Sequence, residues 1–152
     1  IIHDIRALSR LETVQYSMEK VITAETGGGA FEFLFGDKLL FVAHGRVIAG
    51  VDLEKLTPED FRVESGVLFV NLPDAEVFET VVDNDLSYVY DRQRGILTRG
   101  DVQLESQARV VAEQEILKAA LADGILDWAE KNAESSLSIL FRNIGYMDVI
   151  YE

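Results

Sequence analysis

Apolar and polar positions alternate along most of the first ninety residues, then switch to a helical rhythm. Val14, Tyr16 and Met18 alternate and Val21-Ile22-Thr23 is β-branched, which predicts a strand with an irregularity near Glu19. Ahead of it, Ile5, Leu8 and Leu11 are spaced for a short N-terminal helix. Gly27-Gly28-Gly29 reads as a turn, and Phe31, Phe33 and Phe35 as the alternate positions of a second strand that ends at Gly36-Asp37. The apolar run Lys38 to Ala43, the pair His44-Gly45 and the return Arg46 to Val51 predict a hairpin, because Gly and His tolerate the positive φ of a tight turn. A second hairpin is predicted from Phe61 to Glu64, through Ser65-Gly66, to Val67–Leu72. Between them Asp52 to Asp60 reads as a loop with one helical turn opened by Thr57-Pro58.

Residues 74–83 carry both signals. Asp74 and Glu76 after Pro73 resemble a helix start, but Val77, Phe78, Thr80, Val81 and Val82 favour a strand, and the strand is the reading adopted. Asp83-Asn84-Asp85 turns into Leu86 to Tyr90, and Arg94-Gly95 turns again. From Asp101, an N-cap residue type, Leu104, Ala108, Val111/Ala112, Ile116 and Ala119 form one helical stripe. Asp123-Gly124 breaks it. A second stripe, Ile125, Ala129, Ala133, Leu137, Leu140/Phe141 and Ile144, stops at Gly145, and Tyr146 to Tyr151 reads as a closing strand. About seven strands, two helices and one strand, segregated in this way, predict an α+β domain. Its antiparallel-rich sheet of hairpins is followed by two long helices packed on one face and a closing C-terminal strand.

The chain has 152 residues, and 48% of them are hydrophobic, so one domain with one real core is expected over residues 1–152. Lys and Arg number 14 against 27 Asp and Glu, a formal charge of −13. Residues 50–91 hold eleven of the acids and two of the bases, so the acidity sits on the middle hairpins and their loops. A surface this acidic argues against nucleic acid and against anionic lipid as partners. With no cysteine, the chain can hold no disulfide, thiolate zinc site or iron–sulfur cluster, and it has no cysteine nucleophile. No run is long and apolar enough to be read as a membrane span, and no signal peptide is visible.

Gly45-Arg46-Val47-Ile48-Ala49-Gly50-Val51-Asp52-Leu53-Glu54-Lys55-Leu56 matches every position of a Gly-x-Val-x-Ala-Gly-x-Asp-Leu-x-x-Leu signature. Leu11-Glu12-Thr13-Val14, Leu72-Pro73, and a late helix followed by Gly145 and a strand agree with the same pattern. In these segments the chain resembles the bacterial domain-of-unknown-function family 4230 over nearly its whole length. The resemblance implies an N-terminal membrane-spanning helix just before a segment like His3 to Leu11, and a soluble domain held in the cell envelope. It would account for a chain that opens without Met. It carries no catalytic residue across, because none is established for the family.

The candidate binding positions are therefore the motif residues His44, Gly45, Arg46, Gly50 and Asp52. His44 is a candidate general base because imidazole titrates near neutrality, set against a plain turn residue, which is the preferred reading. Asp52 is a candidate cation or proton ligand, set against a cap on the amides of Glu54 or Lys55, again the preferred reading, with Gly50 providing an unusual φ or a close backbone approach. Asp83-Asn84-Asp85 with Asp91 offers oxygen ligands for calcium but lacks the EF-hand spacing. Glu54, Glu59, Asp60 and Glu64 could contain a carboxylate pair. Trp128 reads as core packing, or as a partner surface if exposed.

Three functions follow. The first is a non-enzymatic binding or assembly domain with a protein partner or self-association, touching a membrane only through its N-terminal anchor. The second is a small hydrolase using acidic residues near the 44–60 loop. The third is a divalent-cation module. The first is preferred, with no cofactor, metal ligand or catalytic residue assigned.

Overall fold

The protein's structure, a computed structural model, describes residues 9–27, 36–97 and 99–152. In chain order the elements are β1 (Arg10–Thr26), β2 (Asp37–Asp52), two 3-10 turns (Leu53–Lys55 and Pro58–Asp60), β3 (Phe61–Glu64), β4 (Val67–Val70), β5 (Glu76–Val82) and β6 (Tyr88–Arg94). Then come helices α1 (Leu104–Ala122) and α2 (Ile125–Asn143), and strand β7 (Asp148–Tyr151). The class is α+β. One sheet has β2 between β1 and β5, with β6 also paired to β2; the other runs β3-β4-β7.

The predicted hairpin at His44-Gly45 is not there. β2 passes straight through both residues as one strand of 16. Leu39, Phe41, Ala43, Val47, Ala49 and Val51 are all fully buried, so a single period-2 face runs unbroken through the supposed turn, with Gly45 as a member. Gly45 is not among the glycines with positive φ. The Ser65-Gly66 hairpin, by contrast, forms as predicted: Ser65 has φ 50° and Gly66 φ 84°, and β3 pairs antiparallel with β4.

Strand formation also begins earlier than the pattern suggested. Leu11 lies in β1, not a helix; Ile5 and Leu8, its partners in that reading, lie outside the described residues. β1 runs unbroken past Glu19. The predicted Phe31–Phe35 strand and all but Gly27 of the glycine turn also lie outside them. Six strands precede the helices among the described residues.

The chain's contacts gather into two compact units. One comprises Ile48–Glu79 and Asp123–Glu152 with the chain up to Gln15; the other comprises Tyr16–Val47 and Thr80–Ala122.

In the first unit α2 packs beside β7, and β7 runs parallel to β4. The core joins Val51, Leu53 and Leu56 to Leu68, Val70, Val149 and the helix residues Ala133, Leu137 and Phe141. The Phe141 ring meets Phe61 and Tyr146 edge-on, at centroid distances of 6.3 and 6.2 Å. Thr13 Oγ1 donates to the Ala129 carbonyl at 2.7 Å and Asn132 Nδ2 donates to the Thr13 carbonyl at 3.1 Å, which ties the start of β1 to α2. The α2 stripe is buried at Ile125, Ala129, Ala133, Leu137 and Phe141, but Ile144 is exposed. Gly145, with φ 112°, ends the helix as predicted.

In the second unit α1 buries Leu104, Ala108, Ala112, Ile116 and Ala120, so the stripe ends at Ala120 and not Ala119. The Arg109 guanidinium lies 4.7 Å from the centre of the Phe41 ring and holds α1 on β2. The carboxylate of Asp101 accepts from Gln103 N–H at 2.8 Å in the turn that leads into the helix, so the predicted N-cap residue stands two positions ahead of the cap, which is Gln103. Antiparallel pairing of β2 with β6 runs from Asp37 opposite Arg94 to Val42 opposite Tyr88, with a slip between Leu40 and Phe41.

Candidate functional site

The five motif residues divide between the two units: His44, Gly45 and Arg46 in one, Gly50 and Asp52 in the other. Each is best understood through what its atoms touch.

A methyl group on Gly45 would sit 2.5 Å from Ile116 Cδ1 and 2.8 Å from the Val81 carbonyl oxygen. Glycine is needed there because helix α1 and strand β5 both approach the β2 backbone closely. Gly50 is tighter. Its added Cβ would lie 2.0 Å from the Leu11 carbonyl oxygen and 2.8 Å from Phe78 Cε2. The close approach expected of Gly50 is therefore present, without an unusual φ.

The Asp52 carboxylate accepts from Glu54 N–H at 3.0 Å and caps the 3-10 turn Leu53–Lys55, as preferred from sequence. That turn points Leu53 and Leu56 into the core. It is held further by Leu53 N–H donating to the Ser9 carbonyl at 2.9 Å and by Ser9 Oγ donating to Glu54 at 2.8 Å. Val47 and Ala49 complete the signature as fully buried positions of β2. Every named position of the signature thus has a packing, close-approach or capping role.

His44 lies on the opposite face of β2 from that buried row, its side chain about one-third exposed. Its Nε2 is 3.1 Å from Glu19 Oε2 on β1. Ser87, nearly buried, lies beside it, but a Ser–His relay is not formed: Ser87 Oγ accepts from the His44 backbone N–H at 3.0 Å and donates to the His44 carbonyl at 3.3 Å. The hydroxyl thus bridges β2 to the start of β6 and makes no bond to the imidazole. Arg46 is half-buried, two residues along the same face of β2.

Several acids of the middle region also have partners. Asp60 closes a capping box with Thr57, accepting from its N–H at 2.7 Å, and those Thr57 bonds hold the Asp60 carboxyl below its ordinary acidity range. Glu76 pairs with Lys55 at 2.9 Å and Glu64 with Arg62 at 3.1 Å. Asp83 accepts from the N–H groups of Asp85 and Leu86 at 2.9 and 3.1 Å, making the turn before β6. Asn84 accepts from Arg109 at 2.7 Å. Among the described residues, no group of three or more His, Asp or Glu side chains is gathered as a metal site.

One polar centre had no sequence signal. Asp37, 1% exposed, accepts from Arg92 Nε at 3.0 Å and from Arg92 Nη2, and also from Asp101 N–H at 2.7 Å. Arg92 Nη2 reaches on to the Asp101 carbonyl at 2.7 Å. The Arg92 hydrogen bond leads the causes that keep the Asp37 carboxyl below its usual range, against the opposing effect of burial. This clasp joins the start of β2, strand β6 and the approach to α1. Its partners are 55 residues apart in the chain, so nothing local announces it.

These features define an α+β domain whose signature motif holds its fold together. The chain belongs to the family described as Protein of unknown function (DUF4230), whose model matches residues 3–151. Neither the curated proteins nor the solved structures hold a significant match to it.

Proposed function

We propose that the chain is a non-enzymatic binding and assembly domain, acting through a protein partner or through self-association, and carried in the cell envelope by an N-terminal membrane anchor. The observation that carries this reading is a contrast. The polar residues singled out from sequence have mainly structural hydrogen bonds and ion pairs, whereas large apolar side chains stay on the surface of both helices. Val110, Val111 and Leu121 are exposed on α1, and Trp128, Ile139 and Leu140 on α2. Exposed aliphatic and aromatic side chains on rigid elements are what protein contacts use. The anchor and the envelope placement rest on the family resemblance alone. No helix among the described residues is long and apolar enough to cross a membrane.

The test is native mass spectrometry and sedimentation velocity on the purified domain, with recovery of the tagged protein from a membrane extract. A defined oligomer, or a stoichiometric protein partner retained through washing, is the expected result. A strict monomer that retains no partner contradicts the proposal.

A further inference from the structure

Helix α1 has a second seam. Gln103, Gln107, Val110, Gln114, Leu117 and Leu121 follow one another at spacings of four, three, four, three and four residues. That is the spacing of the a and d positions of a two-stranded coiled coil, with Val110, Leu117 and Leu121 its apolar members and Gln103 just ahead of the helix. Of these, Gln103, Gln107, Val110, Gln114 and Leu121 are exposed and Leu117 is partly so. The helix already buries a different stripe in its own unit, centred on Ala112, which is fully buried. The four-residue spacing of that stripe drifts about 40° per step, since each residue turns the helix about 100°. Near Ala112 the stripe and the seam therefore face opposite ways. Apolar residues consequently lie around much of α1, whereas those of α2 are gathered more to one side.

Two features say what would cover the seam. A shallow, open, mainly apolar depression on α1 is lined by Gln103, Ser106, Gln107, Val110 and Val111. The first four occupy successive d, g, a and d positions. In a parallel two-stranded coil those four form the hole that takes an a-position knob, here Gln107 of a second copy. The second feature is charge. Glu113 falls at g and Lys118 at e of the next repeat, the pair that meets between parallel helices. Two-fold symmetry makes this contact twice. An antiparallel pairing about the same centre would instead bring Glu113 close to Glu113 of the second copy. The amides of Gln107 and Gln114 at a would meet their own equivalents across the axis and mark the register.

We infer that α1 pairs in parallel with α1 of a second copy of this chain, through the seam centred on Val110 to Leu117. The inference rests on the assembly reading above and names its partner. The contact is one short helix face, so the association is concentration-dependent.

The experiment is sedimentation equilibrium on the wild type, Glu113→Lys, Lys118→Glu and the double variant. Each single reversal places like charges together at two points and should weaken the dimer about fivefold or more. The double variant restores both pairs and should return within about twofold. Gln107→Cys, in a chain with no other cysteine, should oxidise to a disulfide dimer, since only the parallel register brings residue 107 beside its copy. An oligomer insensitive to both reversals, or a double variant weaker than either single one, overturns the inference and leaves the assembly reading standing. A monomer that retains a different protein does the same. A monomer without any partner overturns both.

Discussion

Helices α1 and α2 have the same length, 19 residues, and each buries one stripe at four-residue spacing. They differ in what fills the stripe and in what lies behind it. The α2 stripe ends on Leu137 and Phe141, which wedge into the core around Val149, Leu68 and Val70. The α1 stripe is mostly alanine, at Ala108, Ala112 and Ala120, which lets the helix lie close to a strand that has itself lost a side chain at Gly45. With small residues facing inward, α1 keeps Val110, Val111, Leu117 and Leu121 for elsewhere. α2 gives its largest buried side chains to its unit's core; both helices also leave three large apolar side chains exposed, and on α1 two of these, Val110 and Leu121, fall on the four-three seam. The comparison teaches that equal burial patterns can serve unequal ends, and that the outward side of α1 needs a separate explanation.

The largest expected effect lies in the α2 core. Phe141→Ala should cost about 3–5 kcal/mol in urea unfolding, because the ring is fully buried between Phe61 and Tyr146. A loss under 1 kcal/mol would remove the contrast between the helices. Next comes Gly50→Ala, whose methyl meets the Leu11 backbone oxygen with no flexible neighbour to yield; about 2–3 kcal/mol is expected from the unfolding midpoint.

Asp37→Asn should cost about 2 kcal/mol, since it weakens the Arg92 clasp that precedes α1. It should also alter the response to acid. The Asp37 carboxyl is held below its ordinary value, so its stabilisation is present above the unfolded-state value near 3.8 and is lost as the pH falls through the lower folded one. Chemical unfolding at a series of pH values should therefore show a shallower decline below pH 5 in the variant than in the wild type. Equal slopes would remove the clasp from the account. Asp52→Ala deletes one cap and should cost about 1 kcal/mol, with the unfolding slope unchanged.

How much of this was readable in advance depends on the range of the interaction. Ser65-Gly66, Gly145 and the Asp52 cap are local: the residue types that allow positive φ or bond a nearby amide lie next to the feature they make. The helical stripes are local too, and depart from the expected positions only at their ends. His44-Gly45 misled because a glycine can serve either a turn or a close approach, and only Ile116 and Val81, far along the chain, decide which. The parallel pairing of β7 with β4 and the Asp37–Arg92 clasp depend on partners many residues away, and no spacing in the chain encodes them. The motif was legible as a pattern, but its role was not. Its residues resemble a binding loop until the strand, the helix and the core that surround them are in place.

The central claim is that the outer side of α1 serves association and not folding. It is tested most directly by a sedimentation velocity concentration series on the wild type and Val110→Ser, an exposed position. The account predicts a concentration-dependent dimer in the wild type and its loss in the variant, with the folded domain's unfolding free energy unchanged within about 0.5 kcal/mol. A wild type that stays monomeric throughout the series, or a variant that dimerises as well as the wild type, would contradict it.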